Sequence, residues 1–375
     1  MRHIVYITGT RADFGLMSAT LAAIDAEPTM RLSVIVTGMH LDPTYGETWR
    51  EVEATGLTIL GKLPVPMSPA TGATMARAIG GMTAGFTDLL ETAQPDIVLV
   101  LGDRGEMLAG ALAALHLNIP VAHVHGGERS GTVDEPIRHA ITKLSHLHFA
   151  ATQGAAERII RLGERERDVV VTGAAGLDGL RDTPRPTRAQ LIDAAGLDPA
   201  RPTALILFHP VLQEAHDAGT QARAIFDAVA QAGWQSMVLM PNADAGSDAI
   251  RAQVEQQTGN DIRTFVHLPR PDFIALMAEM DAMIGNSSAG IVEAASFGTP
   301  VVNVGSRQNM RERNANVRDV PIDSTAISSA LSEIEKTGRD PIANIYGDGQ
   351  ASKRIAQALR DHPLGPDLLN KVLTF

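Results

Sequence analysis

The amino-acid sequence predicts an α/β protein of two doubly wound, Rossmann-like domains that face one another across a cleft. Short runs rich in Val and Ile alternate with longer segments of helical period, the pattern of a parallel sheet covered by helices on both faces. The series is interrupted once, by a stretch dense in proline and charge, and then begins again. A chain of 375 residues also suits two cores, at a soft prior of roughly 150 residues per domain.

In chain order, strands are expected at HIVYITG (3–9), RLSVIVTG (31–38), DIVLVLGD (96–103), IPVAHVHG (119–126), HLHFAAT (146–152) and DVVVTG (168–173). Each is too continuously apolar for a strand with one wet face. Helical segments lie between them at 13–26, 75–92 and 106–117, completing an N-terminal domain over 1–180 that carries the candidate acids. Residues 181–203, RDTPRPTRAQLIDAAGLDPARPT, read as a linker around one short amphipathic helix. The pattern resumes with ALILFH (204–209), SMVLMP (236–241), IRTFVHL (262–268), DAMIGNS (281–287) and PVVNVG (300–305), a second domain over 204–350. The tail, 351–375, has helical character near its start, is too short for a third domain, and is expected to pack back on the first.

Composition narrows the function classes. With 44% hydrophobic and 20% charged residues the chain is globular rather than disordered. A net charge of -11 leaves no basic face for nucleic acid, so an anionic ligand must be held locally, by a few arginines and helix starts. The absence of cysteine excludes disulfides and thiol catalysis and suits a reducing cytoplasm. The first residues enter a strand at once, which leaves no room for a signal peptide, and no run approaches the roughly 20 apolar residues of a membrane span. A cytoplasmic protein with no membrane partner is expected, assembled as a homo-oligomer, a dimer or tetramer.

The chemistry concentrates in strand-end loops. His123 to Thr152 crowds histidines and acids between two apolar runs: Gly126, Gly127 and Gly131 allow close backbone approach, and Glu128, Asp134 and Glu135 bring carboxylates where proton transfer is done. A capping box between Thr132 and Glu135 would explain part of the same pattern. GTRADFG sets Arg11 at the first strand-to-helix turn, before a helix that Asp13 can cap; it is neither a Walker loop nor a full GxGxxG. GDRGE puts Asp103 at a buried strand end, where an unpaired charge is costly, with helix capping as the competing role. In DAMIGNSSAGIVEAASFG, Ser287, Ser288 and Gly290 make an anion seat at a helix start, and Glu293 on its first turns has the two oxygens a ribose diol needs. His209 ends another strand, and Arg307, Arg311 and Arg313 form a basic cluster after the last one. His123, His125, His139, His146 and His148 raise a zinc site, but HxH alternating along a strand matches no metalloprotease spacing, and no metal is expected.

With GTRADFG, GDRGE, HVHGGERSGTVDEPIRHAITKLSHLHF, FHPV, GNSSAGIVEAASFGTPVVNVGSRQ and a late YGDG (346–349) in that order, the chain resembles the hydrolysing UDP-N-acetylglucosamine 2-epimerases over almost its full length. The HGGE form, where non-hydrolysing relatives read more like HVEAG, puts the chain on the hydrolysing side. The resemblance implies a fold like the glycosyltransferase-B superfamily. It also implies conversion of UDP-GlcNAc and water to UDP and N-acetylmannosamine, for sialic-acid-type sugar synthesis, with no cofactor. It makes Arg11, Ser287, Ser288 and Gly290 diphosphate contacts, Glu293 the ribose ligand, Arg313 a further phosphate or cleft residue, and the segment from Val266 to Phe273 the uracil pocket. Asp103, Glu128, Asp134 and His209 match the catalytic carboxylates and the cleft histidine. A short gap in alignment leaves His125 or Glu128 at the strand-end position, and Asp134 or Glu135 as the inward acid. The linker reads TGAAGLDGL (172–180) where many relatives have Asn-Pro, a departure that touches the hinge more than the chemistry.

The proton on C2 is not next to a carbonyl, so loss of UDP must lead, with carboxylates stabilising the charge that grows at C1. Water then adds to a 2-acetamidoglucal while a proton returns to C2 from the other face, which requires more than one acid. Three alternatives share the diphosphate seat: a hydrolysing epimerase of a UDP-2,4-diacetamido-trideoxyhexose of the legionaminic-acid type, a glycosyltransferase, and a non-catalytic sugar-nucleotide sensor.

Overall fold

The structure, a computed structural model, describes residues 1–375 except 131–133, 258 and 260. The expected capping box at Thr132, and Gly131 beside it, lie outside the described residues. The first sheet comprises β1 (Arg2–Thr8), β2 (Met30–Thr37), β3 (Thr58–Leu63), β4 (Ile97–Leu101), β5 (Val121–Val124), β6 (Leu147–Ala150) and β7 (Val169–Val171), in the order β3-β2-β1-β4-β5-β6-β7. The second comprises β8 (Thr203–Leu207), β9 (Gln235–Leu239), β10 (Ile262–Phe265), β11 (Ala282–Gly285), β12 (Val301–Val304) and β13 (Val317–Val320), in the order β10-β9-β8-β11-β12-β13. Every strand pair is parallel. Two doubly wound α/β sheets are thus the observed architecture.

Strand alternation explains why the runs are apolar at every position. Ile4 and Tyr6 pack into the core on one face of the first sheet while Val5 and Ile7 pack into the core on the other. Each such fully buried Ile or Val contributes about 1.5–3 kcal/mol over an exposed one. The same division puts Ile206 on one face of the second sheet and Leu205 and Leu207 on the other. Two strands, β3 and β13, were not expected from the sequence. Both are sheet edges of partly exposed residues, so their charged and polar positions hide the apolar signal.

The linker helix Arg188–Ala195 starts with a reciprocal Thr187–Gln190 capping box and buries Ile192 against the second domain. In the tail, helix Ala351–Asp361 is capped from the first domain: Asp178 accepts from the Ala351 and Ser352 amides at 2.9 and 2.7 Å. Ile355 and Leu359 then join the same core cluster as Met17 and Ile24. Farther on, Lys371 donates to the carbonyls of Thr142 and Lys143 (3.2 and 2.7 Å), at the C-terminus of helix Asp134–Leu144. The chain end therefore buttresses the helix that brings Asp134 and Arg138 to the cleft. Among the described residues, no helix is long and apolar enough to cross a membrane.

Candidate active site

Strand order reverses between β1 and β4 in one sheet and between β8 and β11 in the other, the switch points where open α/β sheets bind ligands. The loops leaving those four strands carry Arg11, Asp103, His209 and Ser287, and all four line one cavity of about 300 Å³ between the domains. Glu128, Asp134, Ser288 and Glu293 line it too. Tight backbone makes these approaches possible. Gly285 has φ +132, and a Cβ there would lie 1.9 Å from the Leu207 carbonyl oxygen, so only glycine lets β11 turn against β8.

At the first switch point Thr10 caps helix Arg11–Asp25 and Asp13 answers from the third position, its carboxylate accepting from the Gly9 and Thr10 amides at 3.1 and 2.7 Å. Asp13 was expected to be the cap; it is the reciprocal partner instead. The result fixes Arg11 as the first helical residue. Burial draws its guanidinium down to about 10, still cationic at neutral pH, and its Nε is buried without a hydrogen-bond partner among the described residues.

The acids form a ring around buried arginines. Asp103 does not cap its helix, which begins at Gly105 after Arg104. It pairs with Arg138, whose side chain is 1% exposed and also donates to the Glu128 carbonyl (3.0 Å) and Ser130 Oγ (3.3 Å). Glu128 sits between Arg311 and His125, the latter with Nδ1 at 2.8 Å. His125 holds this place with φ +65, a left-handed conformation uncommon outside glycine and seen at functional sites. Asp134 faces Arg307 at 3.5 Å.

These surroundings separate the carboxyls. Burial alone would raise Glu128, but Arg311 and His125 outweigh it and hold the group well below the usual range. Burial likewise opposes Asp103, and Arg138, Arg311 and Arg307 overcome it and keep it low. Asp134 goes the other way: burial and the nearby Asp103 push it up, against the pull of Arg307. Neighbouring acids driven in opposite directions are what an acid–base pair requires.

In the second domain, Asn286 clasps the strand ends. Its side chain accepts from the His209 amide and donates to the His209 carbonyl, both at 2.8 Å. His209 Nδ1 accepts from the Asn242 amide at 3.3 Å, and burial together with Arg307 and Arg104 lowers the ring to about 3. The neutral ring therefore carries its proton on Nε2, as a donor. Ser287 caps helix Ser288–Val292, only five residues long before the chain tightens into a 3₁₀ turn. So short a helix has little macrodipole, and what its start adds to the cavity is the two hydroxyls, beside Arg11, Arg270 and Arg307.

Three residues of this domain are placed otherwise than their motifs suggest. Glu293 lines the cavity but follows the short helix rather than sitting on its first turns, and it is ion-paired to Arg270, which also donates to the Gly176 carbonyl at 3.1 Å. Gly290 does not line the cavity: its amide bonds the Ser287 carbonyl, and an added Cβ would stand 2.9 Å from Val301, so this glycine serves close packing. Arg313 does not line it either, because its guanidinium forks onto Asp319 at 3.0–3.2 Å. Arg307 and Arg311 face the cleft from the same cluster.

The sequence left Arg138, Arg270 and Asn242 unassigned; none stands in a spacing that names its partner. His123 serves the fold. It is fully buried, lowered to about 3 by burial, and bonds the Gly102 carbonyl at 2.7 Å, bracing the turn before Asp103.

Two facing doubly wound domains define a glycosyltransferase-B-like fold, and the cleft between them is lined by serine hydroxyls, by arginines from both domains and by a ring of acids. The chain belongs to the UDP-N-acetylglucosamine 2-epimerase family, whose model matches residues 22–360. It is 47% identical, over 99% of both chains, to a protein of Legionella pneumophila subsp. pneumophila described as UDP-N,N'-diacetylbacillosamine 2-epimerase (hydrolyzing). It is 32% identical, over 96% of both, to the UDP-N-acetylglucosamine 2-epimerase of Neisseria meningitidis serogroup B. Among solved structures, the Neisseria meningitidis UDP-GlcNAc 2-epimerase bound to UDP-GlcNAc shares the fold, with a TM-score of 0.77 at 19% identity over 95% of this chain and 99% of that one.

Proposed function

We propose that the protein is a hydrolysing 2-epimerase whose substrate is UDP-N,N'-diacetylbacillosamine, a UDP-2,4-diacetamido-2,4,6-trideoxyglucose. The reaction takes this sugar nucleotide and water to UDP and free 2,4-diacetamido-2,4,6-trideoxymannose. The observation that carries the reading is the 47% identity, end to end, with the Legionella enzyme so described, against 32% with the Neisseria enzyme that acts on UDP-GlcNAc. The UDP-GlcNAc substrate expected from the motifs is thereby the second reading. A Campylobacter jejuni relative described as GDP/UDP-N,N'-diacetylbacillosamine 2-epimerase (hydrolyzing), 30% identical over 89% of this chain, supports the first.

The arrangement suits the chemistry. Arg11, Arg307 and the Ser287 and Ser288 hydroxyls hold the departing diphosphate, and Glu293, steadied by Arg270, takes the ribose. As the C1–O bond breaks, the ionised Asp103 and Glu128 stabilise positive charge at C1. Loss of the acidified C2 proton to Glu128 gives a glucal; Asp134, the carboxyl pushed upward, returns a proton to C2 from the opposite face as water adds at C1, the water's own proton passes to the Asp134 carboxylate so formed, and Glu128 releases its proton to solvent. His209 Nε2–H orients the sugar or a phosphate oxygen. Incubation in deuterated water with each UDP-sugar, followed by NMR, tests the reading. Deuterium at C2 of released diacetamido-trideoxymannose, with a higher kcat/KM than for UDP-GlcNAc, is expected; preference for UDP-GlcNAc, or no UDP release, overturns it.

A further inference from the structure

A second chamber of about 60 Å³ opens beside the acids. It shares Asp103, Arg104 and Asp134 with the main cavity but includes none of Arg11, Ser287 or Ser288, so it adjoins the sugar end and not the diphosphate seat. Most of the rest of its wall is apolar, with Met67, Met75, Ala78, Ile79, Met82 and Ile137, while Glu106, Thr71 and Thr74 add polar groups to the shared acids and Arg104. Gly105 makes part of this room, since a Cβ there would lie 2.8 Å from Ile79. The Arg104–Asp244 contact at 3.4 Å ties it to the second domain, whose Ala243 and Asp244 complete the lining.

The thioether and aliphatic part of this wall favours an acetyl methyl, which gains by leaving water, over a hexose hydroxyl, which gains nothing from contact with it. The volume is several times the roughly 10–15 Å³ that admits one water, enough for the three or four heavy atoms of an acetamide. Thr71 and Thr74, whose hydroxyls lie 3.0 Å apart, are lining groups able to pair with its amide.

We propose that this chamber receives the C4 acetamido group of the substrate and that Met75 and Ile79 are specificity-determining residues, selecting the diacetamido sugar over UDP-GlcNAc at its C4 end. The inference rests on the substrate reading above. The test uses Met75→Gln, which keeps length and removes apolarity, and Met75→Trp, which fills the space, each assayed with both UDP-sugars. Removing a fitting apolar contact is worth about 10-fold or more in discrimination. The ratio of kcat/KM for the diacetamido sugar to that for UDP-GlcNAc is expected to fall by about that factor in both variants, while UDP affinity stays at the wild-type value. Equal losses on the two sugars, as a C2 acetamide in the chamber or a merely structural effect would give, overturn the proposal, as does an unchanged ratio. A wild-type enzyme that prefers UDP-GlcNAc refutes the substrate reading itself, and that result is read before any variant is made. Should Met75→Trp not fold, Met75→Gln alone decides.

Discussion

Arg138→Met tests whether the ring of acids is held by one buried cation. The Arg138 side chain is 1% exposed and is the partner of Asp103, which would keep its charge after the substitution. Breaking a buried pair from one side costs about 3–5 kcal/mol. Asp103 is 22% exposed and still faces Arg307 and Arg311, which puts the expectation near the lower bound, about 3 kcal/mol. For a domain of this size that is a fall in Tm of about 6–12 °C, readable by calorimetry. Asp103→Asn in the same background removes the stranded charge and should recover part of the loss, so the double variant melts above the single one. The same substitution acts on activity. Asp103 is low because its cationic neighbours, Arg138 foremost, overcome burial; without Arg138 its pKa rises, and the acid limb of the kcat profile moves to higher pH. A single variant melting within about 2 °C of wild type, with the limb unmoved and the double variant no better, would refute the reasoning.

Two further outcomes follow from the charges. Glu128→Gln leaves Arg311 without its carboxylate and removes the proposed base, so UDP release should fall at least about 100-fold in a protein whose circular dichroism is unchanged; near-normal turnover would remove Glu128 from the mechanism. Glu164, away from the cleft, gives a pH signature. Burial opposes its ionisation, but hydrogen bonds with His148, Lys143 and Lys371 bring it to about 2, below its ordinary 4.5. A depressed acid adds stability above its unfolded pKa, and that contribution disappears as pH falls from about 4.5 through about 2. Glu164→Gln should therefore cost stability at pH 7 and little near pH 2, measured as Tm against pH; parallel curves would count against the assignment.

The parts of the molecule legible in the sequence are those governed by local patterns. Strands buried on both faces announce themselves as continuous apolar runs, and their ends carry Arg11, Asp103, His209 and Ser287, so topology alone brings these residues together. Edge strands such as Val317–Val320 lack that signal because water satisfies one side of them. Pairings across the cleft lack it for a different reason. Arg311 and Arg313 are two residues apart in an irregular loop, and nothing local decides that one meets Glu128 in the opposite domain while the other forks onto Asp319. Gly290 shows the reverse: its place in a motif reads as a ligand contact, and only the room an added Cβ would lack against Val301 reveals a packing role.

On the proposed mechanism those cross-domain pairings would connect ligand binding to acid strength. The two domains are bridged by Arg311 to Glu128, Arg307 to Asp134 at 3.5 Å, Arg104 to Asp244 at 3.4 Å and Arg158 to Glu312 at 3.1 Å. In a chain of net charge -11, a diphosphate can enter an acid-lined cleft only where such arginines answer it. Arg307 is shared, since it faces Asp134 and lines the same cavity as the serine hydroxyls. It is also the leading cationic influence holding Asp134 down against burial and Asp103. A diphosphate that draws Arg307 toward itself weakens that restraint, and the Asp134 carboxyl moves further toward its protonated form. On the proposed mechanism the form so favoured is the one that gives a proton to C2, so a diphosphate bound beside Arg307 would prepare the acid needed for the later step.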